Sequence, residues 1–515
     1  MANLNLFKSE RLQVPEADTT NSEGAPAYAF GDEHSLAQYA ATGCFGTTFY
    51  ASAEMELKRV LELAFKVDAQ FLTQTAIYCR QAAYMKDMPA LLCAVLSTRD
   101  PSLLAANFDR VIDNGRMLRN FVQIIRSGKV GRKSLGSAPK KAIQRWIASR
   151  SAEQLFGDSI GESPSLADVI RLARPRPESK ERESLYGYLI GKKVEETLLP
   201  TLIRGYEDFR SGKSTDIPQV SFQFLSNLKL TKENWRSIAQ TASWQTTRMN
   251  LNTFARNGVF EDSECVQLIA ARLRDPERIR QARVMPYQML VAFMNANGKV
   301  PQAILSALED ALEIATANIP IAEGAAFVCP DVSGSMTSPV TGWRASGSVV
   351  RCVDVAALVA ASFLRMNPEA QVIPFDEHIH SVRLNPRDSI MTNATRLSKL
   401  GGGGTRISAP LARLNSLRAK GSLVVIVSDN QSWVDAGRDG TQLMAEWIEF
   451  RRRNPGAKLV CLDIQPNGNT QAREREDILN VGGFSDQVFD VIRDFAEGRS
   501  RPGHWVGEIQ RIALS

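Results

Sequence analysis

Three oxygen-bearing side chains follow an apolar run in the second half of the chain. The run Ala325–Pro330 has the composition of a buried strand, and Asp331, Ser333 and Ser335 come directly after it. One carboxylate and two hydroxyls in a single turn are hard donors, which suit a Mg²⁺-type cation. Because one loop cannot complete an octahedral shell, this interpretation requires further oxygen ligands from later loops at the same edge of the sheet.

Two such ligands occur downstream. Thr405 ends the glycine run Gly401–Gly404, whose residues would let the backbone approach the site closely. Asp429 follows Leu423–Ser428, a second apolar run that is typical of a buried parallel strand. We therefore predict a divalent-cation site, with Mg²⁺ as the expected ion, formed by Asp331, Ser333, Ser335, Thr405 and Asp429.

Two other interpretations of these residues stay open. The serines could form a turn that caps the next helix, and the glycine run could cradle a phosphate, although it lacks the lysine of a P-loop. The whole set resembles the metal-ion-dependent adhesion site of the von Willebrand factor A (vWA) family. In that family Asp-x-Ser-x-Ser, a later Thr and a later Asp hold one divalent ion.

A second feature is a long stretch without acidic residues. From Asn114 to Ala152 the sequence contains ten Lys or Arg residues and no Asp or Glu. A solvated helix face normally mixes charges, because opposite charges one turn apart support a helix and like charges weaken it. The stretch therefore indicates a polyanionic partner, and a basic face that contacts only solvent is the alternative.

The composition is that of an ordinary globular protein with two or three domains. The 515 residues are 44% hydrophobic and 23% charged, and the net charge of +6 is too small to decide a function. There is no long apolar run and no signal-peptide core, so we predict a cytoplasmic location. Seven scattered cysteines indicate buried free thiols in a reducing compartment and disfavour a structural zinc site.

The periodicity changes near residue 320. Helical patterns alternate with short turns before it, which predicts a solenoid-like array of HEAT-like helix pairs and no strand. After it, apolar runs at 325–330, 371–375, 423–427 and 458–464 alternate with helical segments, which predicts a doubly wound, Rossmann-like parallel sheet. The predicted domains are a flexible lead-in (1–25), the helical region (26–320) and the α/β region (321–515).

Several motifs taken together resemble the Ro autoantigen (TROVE) family over nearly the whole chain. They are the segment Thr42–Gly46, the basic helix Gly136–Trp146, Met249–Phe260, Val284–Leu290, the Ile319-Pro320 boundary and Gly482–Asp486. The resemblance implies a ring of helical repeats that a vWA domain closes. It also implies small Y-like RNAs on the basic outer surface and the single-stranded 3′ ends of misfolded RNAs in the central hole.

Candidate RNA-binding residues follow from matching these motifs. They fall in and just before the basic helix, in the segment Arg171–Pro177 and in or next to Met249–Phe260, whose alternative role is helix capping and packing. The segment Arg171–Pro177 departs from the animal pattern, which has His and Lys before its proline. The candidates are Lys133, Lys140, Lys141, Arg145, Arg171, Arg174, Arg176, Arg248, Asn252 and Arg256.

The sequence favours a non-catalytic, monomeric RNA-binding protein that works in RNA quality control or a stress response, with a nuclease or other RNA-processing protein as a further partner. No Ser-His-Asp order or nucleotide-binding loop is present. One rival hypothesis is a protein-interaction scaffold that grips an acidic partner through Mg²⁺. The other is a metal-dependent nuclease, which would need more clustered carboxylates than the two placed here.

Overall fold

The computed structural model describes residues 14–43, 45–282, 286–296, 298–316, 319, 324–340, 350–434, 440–483, 485–500 and 503–515. The chain forms two compact units. A sheet unit combines residues up to 56 with 316–508, and a helical unit combines 57–315 with 509–515. Cys44, Val284, Met285, Pro320 and Phe484, which belong to the motifs named above, lie outside the described residues.

The helical unit consists of α2 to α19, and the boundary between the units falls inside α2. The bounds are α2 Ala53–Lys66, α3 Ala69–Gln81, α4 Asp87–Arg99, α5 Pro101–Val111, α6 Gly115–Arg126, α7 Ser137–Ser149, α8 Ala152–Asp158, α9 Leu166–Ala173, α10 Lys180–Leu189, α11 Thr201–Arg210, α12 Phe222–Leu225, α13 Lys232–Thr241, α14 Trp244–Met249, α15 Leu251–Arg256, α16 Ser263–Arg274, α17 Pro276–Ala282, α18 Pro286–Asn295 and α19 Gln302–Ala315.

Many of these helices begin at a capping residue, and most bury one apolar face, whereas α3 and α4 are buried on all sides. Asp100 accepts from the backbone N–H groups of Ser102 and Leu103, with Pro101 at the first helical position. Neighbouring helices pack in pairs, as α3 does with α4 and α5 with α7. Tryptophans lie inside these pairs, and the indole N–H of Trp244 donates to the carbonyl of Leu273 (3.1 Å). The prediction of a helical array is confirmed.

The sheet unit contains a five-stranded parallel sheet. Its strands are β3 Ala326–Pro330, β4 Gln371–Val372, β5 Leu423–Ser428, β6 Lys458–Asp463 and β8 Ile478–Gly482, in the order β4-β3-β5-β6-β8. The helices of this unit are α1 Asp32–Thr42, α20 Cys352–Met366, α21 Ile390–Leu397, α22 Ala409–Ser416, α23 Gln442–Arg453, α24 Asp486–Ala496 and α25 His504–Gln510, which ends across the unit boundary. The predicted doubly wound sheet is therefore confirmed, although Pro374, which lacks a backbone N–H, follows a shorter β4 than predicted.

The first residues of the described chain differ from the prediction. Strands β1 Thr19–Thr20 and β2 Pro26–Ala29 pair with each other, and β2 also pairs with β7 Asn469–Thr470. The expectation of no strand before residue 320 was therefore wrong, and residues 14–25 of the predicted lead-in belong to the sheet unit, whereas 1–13 lie outside the described residues. Tyr28 explains the docking, because its ring is buried in the core of the sheet unit (1% exposed) and its hydroxyl donates to the carbonyl of Pro15.

Six of the seven cysteines lie in the described residues, and all six are buried and free, as predicted. Of the helices in the described part of the chain, none combines the length and the apolar character that crossing a membrane requires.

The buried ring of Tyr28 gives a test of the docked N-terminal segment. We expect Tyr28→Ala to lower the stability of the sheet unit by about 3 kcal/mol, because it leaves a cavity in the core. Tyr28→Phe keeps the ring and loses only the hydrogen bond to Pro15, so it should cost about 1 kcal/mol. Denaturant unfolding of both variants would measure the difference. Equal, near-zero losses would contradict this packing.

Candidate metal and nucleic-acid sites

The two predicted carboxylate ligands lie at the ends of adjacent strands. Strand β3 pairs in parallel with β5, with Pro330 opposite Val427, so Asp331 and Asp429 emerge at the same edge of the sheet. The chain leaves β3 for β4 on one side and reaches β5 on the other, which makes this edge the topological switch point where ligands bind in such sheets. The backbone N–H of Ser333 and the hydroxyl of Ser428 donate to the two oxygens of Asp331 (2.8 and 2.6 Å).

The hydroxyl ligands come from the loop after β3 and are buried with it. The hydroxyl oxygens of Ser333 and Ser335 are 3.3 Å apart. A short 3-10 helix at Ser335–Thr337 has Gly334 at its N-cap and no side-chain cap. The next α-helix in the described residues begins at Cys352 with Arg351 at its N-cap, so neither serine caps it. The alternative of a capping serine turn is therefore not observed.

The glycine run packs against this loop. The N–H of Gly334 donates to the carbonyl of Gly403 (2.8 Å). Gly401 has a positive φ of 75°, and a Cβ there would lie 2.2 Å from the carbonyl oxygen of Val332. A Cβ on Gly404 would lie 2.5 Å from the ring of Trp433. The run thus allows the close backbone approach that was predicted from it.

The third segment is the loop that begins at Asp429 after β5, and it contacts Thr405. The carbonyl of Thr405, which is buried, accepts hydrogen bonds from the hydroxyl of Ser432 (3.1 Å) and the N–H of Trp433 (3.2 Å). The three segments that carry the five predicted ligands therefore meet at one edge of the sheet. In the part of the chain that the structure describes, no cluster of three or more Asp, Glu, His or Cys side chains could hold a metal ion.

The carboxyl groups of Asp331 and Asp429 both have raised pKa values. Burial raises the pKa of Asp429, and the nearby carboxylate of Asp331 raises it further. Burial also raises the pKa of Asp331, although hydrogen bonds from Ser428 and Ser333 lower it. Ser335 and the backbone N–H of Gln431 lie close enough to lower the pKa of Asp429 somewhat, but neither oxygen of Asp429 accepts a hydrogen bond of normal geometry from a described residue. Buried carboxylate oxygens without partners are costly, so a divalent cation fits this donor set.

Several residues around the site escaped the sequence analysis. Burial raises the pKa of the Tyr50 phenol far above its ordinary value, with further contributions from Asp429 and Asp331. Asp376 accepts from the N–H of Gly403 (3.1 Å) and so anchors the glycine run. Asp463 ends β6 and accepts from the side-chain amide of Gln38 on α1 (3.0 Å). Only strand-end position could have pointed to Asp463, and no local pattern marks Tyr50.

The predicted basic helix is α7, and it is amphipathic. Pro139, Ile143 and Trp146 are buried on one face, whereas Lys141 is exposed and Lys140 partly exposed on the other. Neither lysine has a hydrogen bond or ion pair with any residue that the structure describes. Arg145 differs, because its guanidinium binds the carboxylate of Asp109 (3.1 Å) and the carbonyl of Ala105 (2.6 Å).

The loop after α9 lies beside α7. The side-chain amide of Gln144 on α7 donates to the carbonyls of Ala173 (2.7 Å) and Arg174 (3.2 Å). Arg174 and Arg176 are exposed, and Arg174 has the left-handed conformation that ends α9. Arg171 is exposed too, with contacts to Asp168 and to the carbonyl of Ile190. The structure thus brings two of the predicted RNA-binding segments together. Lys133 is exposed in the loop before α7.

The candidates in and next to the Met249–Phe260 segment are of two kinds, buried and at least partly exposed. Arg248, just before it, is 8% exposed, and its guanidinium donates to the carbonyl of Gln288 (2.7 Å), which is a packing role. Asn252 is partly exposed and donates to the carbonyl of Asn295 (2.8 Å). Arg256 is exposed. Trp235 and Trp244, the tryptophans near this segment, are buried in the core of the helical unit.

Comparison with known proteins agrees with this architecture. Residues 326–496 match the family model described as the Ro60 vWA domain. This part of the sheet unit is therefore similar to the vWA domain of the Ro60 family. The chain is 26% identical to "RNA-binding protein RO60" of Deinococcus radiodurans over 534 aligned residues, which cover 96% of this chain and 98% of that protein. These matches confirm the resemblance to the Ro family.

Two further comparisons extend this result. "RNA-binding protein RO60" of Caenorhabditis elegans is 25% identical over 252 residues, which are 46% of this chain and 38% of that protein. The crystal structure of the Deinococcus radiodurans RO (RSR) protein superposes with a TM-score of 0.62 at 21% identity, and the match covers 91% of this chain and all of that one. The structural match shows that the fold of the chain is shared.

The raised pKa values of Asp331 and Asp429 predict that the stability of the metal-free protein depends on pH. The folded state holds these protons more tightly than the unfolded chain, so the contribution of this pair to stability should rise as pH falls from about 8 towards about 4, the ordinary aspartate pKa. Asp429→Asn removes one of the two charges. It should therefore stabilise the metal-free protein by about 2 kcal/mol near pH 8 and flatten this dependence. Chemical unfolding in a chelator at several pH values measures both effects, and identical pH slopes for both proteins would contradict the assignment.

Proposed function

We propose that this protein binds RNA through the exposed basic surface of α7 and the loop after α9, and that its Ro60 vWA domain holds a divalent cation. The observation that carries the RNA proposal is the unpaired state of Lys140 and Lys141 within the described residues, beside the exposed Arg174 and Arg176. Relatives named RNA-binding protein RO60 support it. Unpaired cations can exchange their counterions for phosphates without breaking internal bonds.

The chemistry of this surface indicates which class of ligand it binds. Lysines and arginines on a helix face and an adjacent loop contact phosphates, which fixes position but reads little sequence. A small structured RNA of the Y-like class is the partner that the Ro resemblance implies for this face. Arg256 and Asn252 would contact the single-stranded 3′ end of a misfolded RNA. The same resemblance supports a monomeric cytoplasmic protein of RNA quality control or a stress response that passes RNA to a processing enzyme.

The two lysines without partners give the sharpest test of RNA binding. We expect Lys140→Ala/Lys141→Ala to weaken binding of a structured RNA with a 3′ single-stranded tail, because two phosphate contacts are lost. A plot of log affinity against log salt concentration has a negative slope, and this slope should become less steep by about 1.5. Fluorescence anisotropy across a salt series measures both quantities.

The control replaces two exposed lysines of the helical unit that lie outside the basic stretch, Lys213→Ala/Lys229→Ala, of which Lys213 has one long ion pair with Asp208 (4.0 Å). This pair removes the same charge, so it should leave the salt slope within error of the unchanged protein. A slope that falls equally in both variants would mean that overall charge, and not this surface, binds the RNA. Arg145→Ala is a poorer probe because it also breaks the contact with Asp109.

The metal proposal rests on the unsatisfied carboxylate of Asp429. Asp331, Ser333, Ser335, Thr405 and Asp429 would hold Mg²⁺, which would neutralise the two carboxylates and offer a remaining coordination position to a partner's oxygen. This chemistry is structural or adhesive, because two carboxylates are too few for a two-metal nuclease centre.

Metal binding can be measured apart from RNA. We expect millimolar Mg²⁺ or Mn²⁺ to raise the unfolding temperature of the protein, because a cation that binds only the folded state stabilises it. Asp331→Ala should abolish this shift. An Asp388→Ala control, at a partly exposed position of the same unit where the carboxylate pairs with Arg396, should keep it. An equal shift in all three proteins would contradict the site.

A metal-bridged protein scaffold is the second candidate function. Trp433 is 46% exposed although it packs against Gly404 beside the site, and a large exposed aromatic side chain is typical of a protein contact. Loss of a protein partner in Asp331→Ala, with RNA binding unchanged, would favour this function over RNA binding.

A further inference from the structure

The N-terminal segment forms a continuous polar network with the segment that carries Asp429. Residues 18–29, which we call the strap, contain β1, β2 and a tight turn at 21–25. The side chain of Asn21 is buried inside this turn, and its oxygen accepts from the N–H groups of Glu23 (3.1 Å) and Ala25 (3.0 Å). Its amide nitrogen points the other way and donates to the carbonyl of Ser432 (2.5 Å).

Ser432 in turn contacts Thr405, one of the predicted ligands. Its hydroxyl donates to the carbonyl of Thr405 and accepts from the N–H of Ile407 (3.1 Å each). Ser432 is 1% exposed, so water does not compete for these bonds. The strap therefore reaches the backbone of Thr405 through one intermediate residue.

A parallel route leads to Asp429. The backbone N–H of Ser22 donates to the side-chain oxygen of Gln431 (2.8 Å), and the amide nitrogen of Gln431 donates to Asn467 (3.0 Å). The amide of Asn467 in turn donates to the carbonyl of Asp429 (2.7 Å). Gln431 is fully buried. Two separate chains of hydrogen bonds thus run from one turn of the strap to the backbone of two of the five ligands.

We propose that Asn21 is a positioning residue for the divalent-cation site and that the strap and the bound cation stabilise each other. This inference rests on the cation site proposed above. Two like-charged buried carboxylates repel each other, so the segment that carries Asp429 must be held in place until the cation binds. The network provides that restraint from outside the sheet. Because such coupling is reciprocal, cation binding must also stabilise the strap.

The test separates the two hydrogen-bonding roles of Asn21. Asn21→Asp keeps the oxygen that accepts within the turn but replaces the donor to Ser432 with a second acceptor. We expect Mn²⁺ affinity, measured by electron paramagnetic resonance, to fall about tenfold in this variant. The control Asp18→Ala removes a bond inside the strap, from the N–H of Ala29, that leaves the Ser432 contact in place. It should bind Mn²⁺ as the unchanged protein does.

A second readout follows the strap directly, in the unchanged protein and in a variant that lacks one ligand. Hydrogen exchange of residues 18–29 in the unchanged protein should slow when Mn²⁺ is added, and this slowing should disappear in Asp331→Ala. If the unchanged protein binds Mn²⁺ but Asn21→Asp binds it equally well and exchange in the strap does not respond, the positioning role is overturned. If the unchanged protein binds no Mn²⁺, the cation site itself fails.

Discussion

Two buried carboxylates on neighbouring strands are the constraint on which the sheet unit depends. The parallel register of β3 and β5 brings Asp331 and Asp429 to the same edge, where burial and mutual repulsion both oppose ionisation. A protein retains such an arrangement at a cost in stability, so it indicates a use. The hydroxyls of Ser333 and Ser335, the glycine run and the hydrogen bonds from the strap all lie at this edge.

The sequence predicted the parts of the fold that depend on local pattern. Long apolar runs gave the central strands β3, β5 and β6, and strand ends followed by oxygen-bearing side chains gave the ligand set. The strap could not be found this way. Its strands have two and four residues, too short for a periodic signal, and they are ordered by contacts with segments more than 400 positions away, such as Asn21 with Ser432.

Residue type also says little about which basic side chains are available to a ligand. Lys140, Arg145 and Arg248 were predicted together, yet only the structure distinguishes them. Arg248 is committed to a backbone carbonyl inside the helical unit, Arg145 is held by Asp109, and Lys140 has no partner in the described chain. Guanidinium groups satisfy carbonyls and carboxylates readily because of their fixed donor geometry, so an arginine in a basic stretch is often structural.

The most direct measurement of RNA binding is to purify the protein at moderate salt, extract the nucleic acid that accompanies it and sequence it, beside the Lys140→Ala/Lys141→Ala variant. We predict that the unchanged protein carries a small structured RNA and that the variant has lost most of it. Protein that is free of nucleic acid, and that also ignores a 3′-tailed RNA at low salt, would contradict the RNA-binding function and leave the metal-bridged scaffold as the better explanation.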